Sequence, residues 1–198
     1  MLKNILRPSI LKSRRVFAPV LLTAVVALAG CSSSGSGTAA PAWAKALGAG
    51  ATVYPPQTEQ PGHGQPGQAI MGELNDIKAK NLVAACSYLD PKTLATCKSQ
   101  AGQIPASDDS QLPYFSNAAL GYTVIDGAQA LVGTTGTFCS PNSTPKCFTN
   151  TKPDAIFSAG DKTFSQLWSE SVANNSTNTY SLAPLVLVNG SWYVEGSG

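Results

Sequence analysis

The ten residues 185–194 constrain the fold more than any other stretch of the chain. Leu185-Val186-Leu187-Val188 and Ser191-Trp192-Tyr193-Val194 are β-prone runs, and Asn189-Gly190 between them is the two-residue signature of a type I′ hairpin turn. Such a turn sets the register: 188 faces 191, 187 faces 192, 186 faces 193 and 185 faces 194. Side chains alternate across the pleat, so Leu185, Leu187, Trp192 and Val194 share one face, and Val186, Val188 and Tyr193 share the other. Both faces are apolar. The hairpin is therefore expected in the centre of a sheet, or in one covered on both sides. Pro184 is expected at a strand start, where a missing N–H is tolerated.

The segments that precede the hairpin supply the cover. Ile70, Met71, Leu74 and Ile77 recur at helical spacing, which predicts a helix from Ala69 with Glu73, Asp76 and Lys80 mostly on its other sides. Residues 82–89 read as a second short helix. Asp90-Pro91 stops it and opens a third piece, with Asp90 as N-cap, through Leu94 and Cys97 to about Gln100. Strand signals come next: residues 121–132 hold an Asp126-Gly127 turn between β-prone runs, and 134–139 extend the second run. Asp161 is placed to cap a helix carrying Phe164, Leu167, Trp168 and Val172, stopped at Asn174-Asn175. Helices first and strands later predict an α+β domain over residues 69–198; the packing of its N-terminal helices on an antiparallel sheet is what the family resemblance described below implies.

The chain has 198 residues, and the charge is unevenly spread along them. Lys3, Arg7, Lys12, Arg14 and Arg15 are five of its 13 basic residues, and no arginine follows Arg15. Residues 31–198 hold eight lysines against eleven acids, a net charge of −3. Nucleic-acid binding, which needs clustered Lys and Arg, is excluded for that part. The basic start leads into an apolar run over 16–28, 13 residues and so too short to span a bilayer. It closes on Leu28-Ala29-Gly30-Cys31. Basic front, apolar middle and small-residue end make a secretory signal over residues 1–30. The Leu-Ala-Gly-Cys end matches the lipobox of bacterial lipoproteins at every position. That resemblance implies cleavage between Gly30 and Cys31 and diacylglycerol on the Cys31 sulfur. It also implies an anchor on the outer face of the cytoplasmic membrane, or in an outer membrane where the host has one. Two or three acyl chains anchor stably at ~0.8 kcal/mol per buried CH₂. Arg14-Arg15 also suggests twin-arginine export, but the residues after the pair fit that signal poorly.

Residues 31–68 are expected to be a tether. Ser and Gly fill 32–38, and Pro, Gly and Gln dominate 55–68; between them residues 42–47 read as a short helix or strand placed to dock on the domain. Such a coil reaches about 30–35 Å. The lone histidine, His63, lies between two glycines in this stretch. It is expected to be solvated, without the rigid surround or second ligand that catalysis or metal binding needs.

With Cys31 assigned to lipid, Cys86, Cys97, Cys139 and Cys147 remain, an even number in an exported chain. Four cysteines allow three connectivities; 86–97 and 139–147 each close a local loop and are preferred. In one continuous helix Cys86 and Cys97 would stand about 16 Å apart, beyond disulfide reach, so the chain must reverse between them. Asp90-Pro91 supplies the reversal. No C-x-x-C occurs and no histidine lies near, so a redox or zinc site is the weaker reading.

No H-E-x-x-H, G-x-S-x-G, Walker loop, S-x-x-K or G-x-G-x-x-G is present. The carboxylates left for acid–base work are Asp90, Asp126, Asp154, Asp161, Glu170 and Glu195, and turn and cap roles already account for Asp126 and Asp161. No catalytic residue, metal ligand or cofactor site is assigned. Tyr88, Tyr122, Trp168, Trp192 and Tyr193 are the candidate lining of an apolar pocket, against the ordinary reading of aromatics as core.

The layout of residues 69–198 is similar to the NTF2-like, or cystatin-like, families of small actinobacterial lipoproteins. The matching pieces are residues 79–86 ending on Cys86, the 126–130 turn, and Val188-Asn189-Gly190-Ser191-Trp192-Tyr193-Val194. The resemblance implies a curved antiparallel sheet and a cone-shaped pocket between helix and sheet; the segment 164–172 departs from it. The function expected is a non-enzymatic, lipid-anchored binding or assembly module whose partner is an apolar small ligand or an envelope protein. The alternatives are a pocket enzyme of isomerase or dehydratase type, using a buried Asp or Glu with a Tyr, and a spacer without ligand. Fold alone does not choose among them.

Overall fold

The computed structural model describes residues 40–104, 113–139, 147–174 and 182–195, all within one compact unit, Ala39–Gly198. The expected signal segment and Cys31 lie outside the described residues. Six antiparallel strands form one sheet: β1 (Thr52–Tyr54), β2 (Tyr114–Asp126), β3 (Gln129–Cys139), β4 (Cys147–Asn150), β5 (Leu182–Val188) and β6 (Ser191–Val194). Their order is β1-β2-β3-β5-β6. β3 spends its far edge on two partners: residues 129–133 pair with β5 and 136–139 with β4. With its helices, the domain is α+β.

Two bulges curve the sheet. In β2 one extra residue enters between Ser116 and Ala119, and another between Leu120 and Thr123, while β3 runs on opposite them. Extra residues on one strand bend it and raise its twist. The first bulge needs Asn117 in the left-handed region (φ 53°) and faces Gly136, whose φ is 120°. A Cβ on Gly136 would lie 2.8 Å from the carbonyl oxygens of Ser116 and Asn117, so only glycine fits there.

The sheet is covered on both sides, as its apolar faces require. On one face α1 (Pro66–Lys78) lays Ala69, Ile70, Leu74 and Ile77 over Phe115, Leu120, Ala130, Val132, Leu185, Trp192 and Val194. On the other, Val124, Leu131 and Leu182 meet Phe157, Leu47 of a 3₁₀ turn (Ala42–Leu47), and Phe164 and Leu167 of α4 (Phe164–Asn174). Alternation along β3 explains the split: Ala130 and Val132 point to α1, and Leu131 between them points away. Each fully buried Leu or Val contributes about 1.5–3 kcal/mol.

The short helices follow the predicted punctuation with shifts. α2 (Leu82–Ala85) and a 3₁₀ turn (Cys86–Tyr88) replace one helix over 82–89, with Asn81 as N-cap accepting from the Ala84 N–H. α3 (Leu94–Ala101) starts later than expected, because residues 91–93 form a turn. Asp90 shapes that turn: its side chain accepts from the Lys92 N–H, and its carbonyl accepts from the Thr93 N–H. The reversal joins Cys86 to Cys97, and Cys139 bonds Cys147 across the β3–β4 pair, the connectivity preferred from loop length. α4 is not capped by Asp161. Thr163 takes that place in a reciprocal capping box: its hydroxyl accepts from the Gln166 N–H, and the Gln166 side chain accepts from the Thr163 N–H. The β2–β3 turn is Gly127-Ala128, one residue beyond Asp126-Gly127, since Asp126 still pairs with Gln129.

The C-terminal hairpin has the register its turn dictates, 188–191 through 185–194. Of the two placements expected, the hairpin takes the second: β6 is the sheet's edge rather than its centre, in a sheet covered on both faces, and Leu187 on the hairpin's buried face is 37% exposed. Pro184 is a correction, standing two residues inside β5, opposite Leu131. Its carbonyl accepts from the Glu195 N–H, beyond the last β5–β6 pair, so its missing N–H lies on the β6 side, past the end of that ladder.

The tether reading of residues 31–68 is corrected from residue 40 onward. β1 pairs with β2 in the register Thr52–Ile125 to Tyr54–Thr123, and α1 begins at Pro66 rather than Ala69; the short element over 42–47 docks as expected, with Leu47 in the second core. His63 is half-buried rather than solvated. Its carbonyl accepts from the Trp192 N–H and its Nδ1 hydrogen-bonds the Trp192 carbonyl, so one residue satisfies both edge groups of Trp192. The Asp90 N–H donates to the Val194 carbonyl. These contacts close an edge that would otherwise template further strands.

Candidate functional site

α1 and the first half of β2 diverge, and a cavity of about 690 Å³ opens between them. Met71, Leu74 and Ile77 line the helix side, and Phe115, Asn117 and Ala118 the strand side. Lys78 and Lys80 lie at the helix's C-terminal end of the cavity. A second cavity of about 270 Å³ adjoins the first, sharing Met71 and Ala118, and continues to Glu59 and Leu120. The larger volume falls in the usual range of small-molecule sites, about 300–1,000 Å³.

Two non-glycine residues on the rim hold left-handed backbone, Lys80 (φ 59°) and Asn117 (φ 53°). Asparagine tolerates that region; lysine does not. α1 ends in a Schellman motif, with the Lys80 N–H donating to the Ile77 carbonyl and the Asn81 N–H to the Asp76 carbonyl. The residue at Lys80 is ordinarily glycine, and a side chain there costs about 1 kcal/mol.

Two carboxyl groups are perturbed on α1 and beside it. Glu59 lies at the N-terminus of α1, where the Gln68 backbone bonds its carboxylate and Gln65 makes no side-chain cap. Burial nonetheless raises its pKa above the ordinary value, and its Oε2 is buried without a partner. Burial pushes Glu73 up to about 7. Glu73 was expected off the apolar face. It follows Ile70 by three residues and precedes Ile77 by four, which puts it inside the stripe, on the flank away from Met71 and Lys78. On that flank Gly72 lies against the Tyr88 ring, so close that a Cβ there would overlap it.

The five aromatic residues proposed as pocket lining are not gathered at one pocket, and none borders the two cavities just described. Tyr122 and Trp168 pack on the far face of the sheet with Trp43 and Phe157, and Trp192 is core beneath α1. Only Tyr88 and Tyr193 meet, each against the His63 ring at 4.9 and 4.8 Å between centroids. Of the six carboxylates left open for acid–base work, Asp90 and Glu195 come together. Burial, then the Asp90 charge, raises the Glu195 pKa, and Asp90 is tied to Lys92 at 3.5 Å. Glu170 pairs with Lys162 at the surface. Among the described residues, no three His, Cys, Asp or Glu side chains gather as a metal site, and no helix is long and apolar enough to cross a membrane.

No known protein family matches the chain, and no curated protein or solved structure matches it either.

Proposed function

We propose that this protein is an exported bacterial lipoprotein, anchored through Cys31, whose folded unit binds a small ligand without transforming it. The observation that carries the binding half is the α1–β2 cavity: apolar on its floor, open to solvent, and of ligand size. The Leu28-Ala29-Gly30-Cys31 motif carries the anchoring half. A helix laid across a bulged antiparallel sheet, closed by an Asn-Gly hairpin, supports the NTF2-like layout. α4 between β4 and β5 departs from that layout, and so does β1 ahead of α1.

Each half has its own test. Labelled fatty acid supplied to a bacterial host enters the wild-type protein and not Cys31→Ala. A neutral apolar dye, N-phenyl-1-naphthylamine, brightens on binding the folded unit. Ala118→Trp, which fills the wall shared by both cavities, abolishes the response. Equal brightening by the two proteins removes the cavity as the binding site.

One observation favours a second reading. Glu59 brings a buried, unpartnered carboxylate oxygen to the smaller cavity, as a pocket enzyme's base requires. Tyr114, the tyrosine of the larger cavity, is mostly exposed, which weakens its case as the matching acid.

A further inference from the structure

We propose that the Cys139–Cys147 disulfide is a redox site that controls the α1–β2 cavity. A dithiol reductant opens this bond while Cys86–Cys97 stays closed, and opening weakens ligand binding. The second half rests on reading the cavity as a ligand site and adds how that site is regulated.

Access separates the two disulfides. A thiolate opens a disulfide by attacking one of its sulfurs, so exposed bonds are the labile ones. Cys86 is 1% exposed and Cys97 is half-buried. Cys147 is exposed and Cys139 is half-buried. The register sets Tyr114, Cys139 and Cys147 in one row across β2, β3 and β4, on one face of the sheet. Tyr114 is 61% exposed, so that end of the face is open to solvent.

The bond also decides how β4 is held. Of its four residues, Cys147, Phe148 and Thr149 are exposed and Asn150 is buried. The Asn150 side-chain amide donates to the Thr134 carbonyl at 2.6 Å, and its Oδ1 accepts from the Lys152 N–H. Asn150 thus fixes one end of the strand and the disulfide fixes the other. Between them stand the ladder to β3 and the contact of the Thr137 and Thr149 hydroxyls. So short and exposed a strand opens locally once its covalent end is cut. It peels from Cys147 and pivots at Asn150.

Peeling reaches the cavity through the neighbouring row, Phe115, Phe138 and Phe148. The Phe115 and Phe138 rings meet edge to face, 5.4 Å between centroids, in the core beneath α1. Phe115 is also part of the cavity's strand wall, residues 113–118. Cutting the clasp uncovers Phe138 on its β4 side. It leaves residues 114–116 on a two-stranded end, and the wall loses the preorganisation that favours binding.

The exchange runs through a mixed disulfide. One thiolate of the reductant attacks the Cys147 sulfur. The protein S–S bond breaks, and its electron pair leaves on the Cys139 Sγ, which takes up a proton. The second thiolate of the reductant then attacks its own sulfur in the mixed disulfide and releases Cys147, which is protonated in turn. Two electrons pass to the protein, and the reductant leaves as its disulfide.

The protein to use is residues 32–198, exported behind a cleavable signal, since it carries the whole described unit. The reductant is dithiothreitol, added in steps. Each sample is quenched with iodoacetamide, and peptide masses identify the labelled cysteines. N-phenyl-1-naphthylamine brightening is read on the same samples. Cys139 and Cys147 are expected to be labelled at about tenfold less dithiothreitol than Cys86 and Cys97. Brightening is expected to fall over that first step and to return on reoxidation. Cys139→Ser combined with Cys147→Ser is expected to show the weakened brightening from the start, with no further fall over that step. The reduction and recovery of the wild type carry the test should this double variant not fold.

Labelling of all four cysteines together, or of Cys86 and Cys97 first, overturns the redox site. Unchanged brightening after selective opening of Cys139–Cys147 overturns the control of the cavity and leaves the cavity reading standing. An oxidised wild type that never brightens overturns the cavity reading and the control together, and the order of labelling still decides the redox site.

Discussion

Replacing Glu73 with glutamine should stabilise the protein at neutral and alkaline pH and leave it nearly unchanged in acid. Glu73 is held in the apolar stripe of α1, and burial raises its pKa from 4.5 to about 7. At about 1.4 kcal/mol per pH unit, that rise makes the ionised form about 3 kcal/mol less favourable in the fold than in the unfolded chain. The residue is half-buried and keeps some solvent, which reduces the expected effect to about 2 kcal/mol. The sign is the reverse of a salt-bridged carboxylate. Below pH 4.5 both states are protonated and nothing is lost. Between 4.5 and about 7 the unfolded chain ionises first, so stability falls as pH rises, and above that window the loss is complete. Glu73→Gln does not ionise and escapes this loss. Urea unfolding at pH 4.5, 6 and 8.5 should therefore show the two proteins together in acid. At pH 8.5 they should differ by about 1 M in midpoint, given slopes of about 1–3 kcal/mol/M. Parallel pH profiles would refute the desolvation argument.

His63→Ala should cost about 2 kcal/mol by urea unfolding, since the Trp192 carbonyl loses its Nδ1 donor and Tyr88 and Tyr193 lose the ring between them. A loss under about 0.5 kcal/mol would return His63 to a passive surface role. Gly72→Ala drives a methyl into the Tyr88 ring and should destabilise by about 2–3 kcal/mol; combining it with Tyr88→Ala should recover part of that, the sign of a shared contact. Additive losses in the double variant would count against this packing.

The sequence was most legible where local chemistry decides the outcome. Asn189-Gly190 sets its hairpin register through two backbone conformations that few other residues adopt, so no tertiary information is needed. The disulfides were legible because a chain reversal at Asp90-Pro91 brings together cysteines that a straight helix would separate. The hairpin's place in the sheet was not legible. An apolar strand face reports burial, and β6 is buried by His63, Leu89 and Asp90 closing its edge rather than by a further strand. Residues 40–65 were misread for a related reason. Pro, Gly and Gln composition reports low helix and strand content, yet His63 docks through its backbone carbonyl and one ring nitrogen, which composition does not register. The cavity was beyond the sequence, because its strand wall, Phe115 to Ala118, includes the first bulge of β2, and nothing local announces a bulge. Two signals were present and missed. Glu73 stands three residues after Ile70 and four before Ile77, and Lys80-Asn81 follows a helix end where glycine is usual.

The central claim is that the space between α1 and β2 is a ligand site. Native mass spectrometry of residues 32–198, exported from and purified out of a bacterial host, tests it most directly, with Ala118→Trp alongside. The account predicts a noncovalent companion of a few hundred daltons, the size class of small-molecule pockets, on the wild type. It predicts none on Ala118→Trp, with both disulfides intact in each. The same companion on both proteins, or a bare wild type that also fails to brighten N-phenyl-1-naphthylamine, would contradict it.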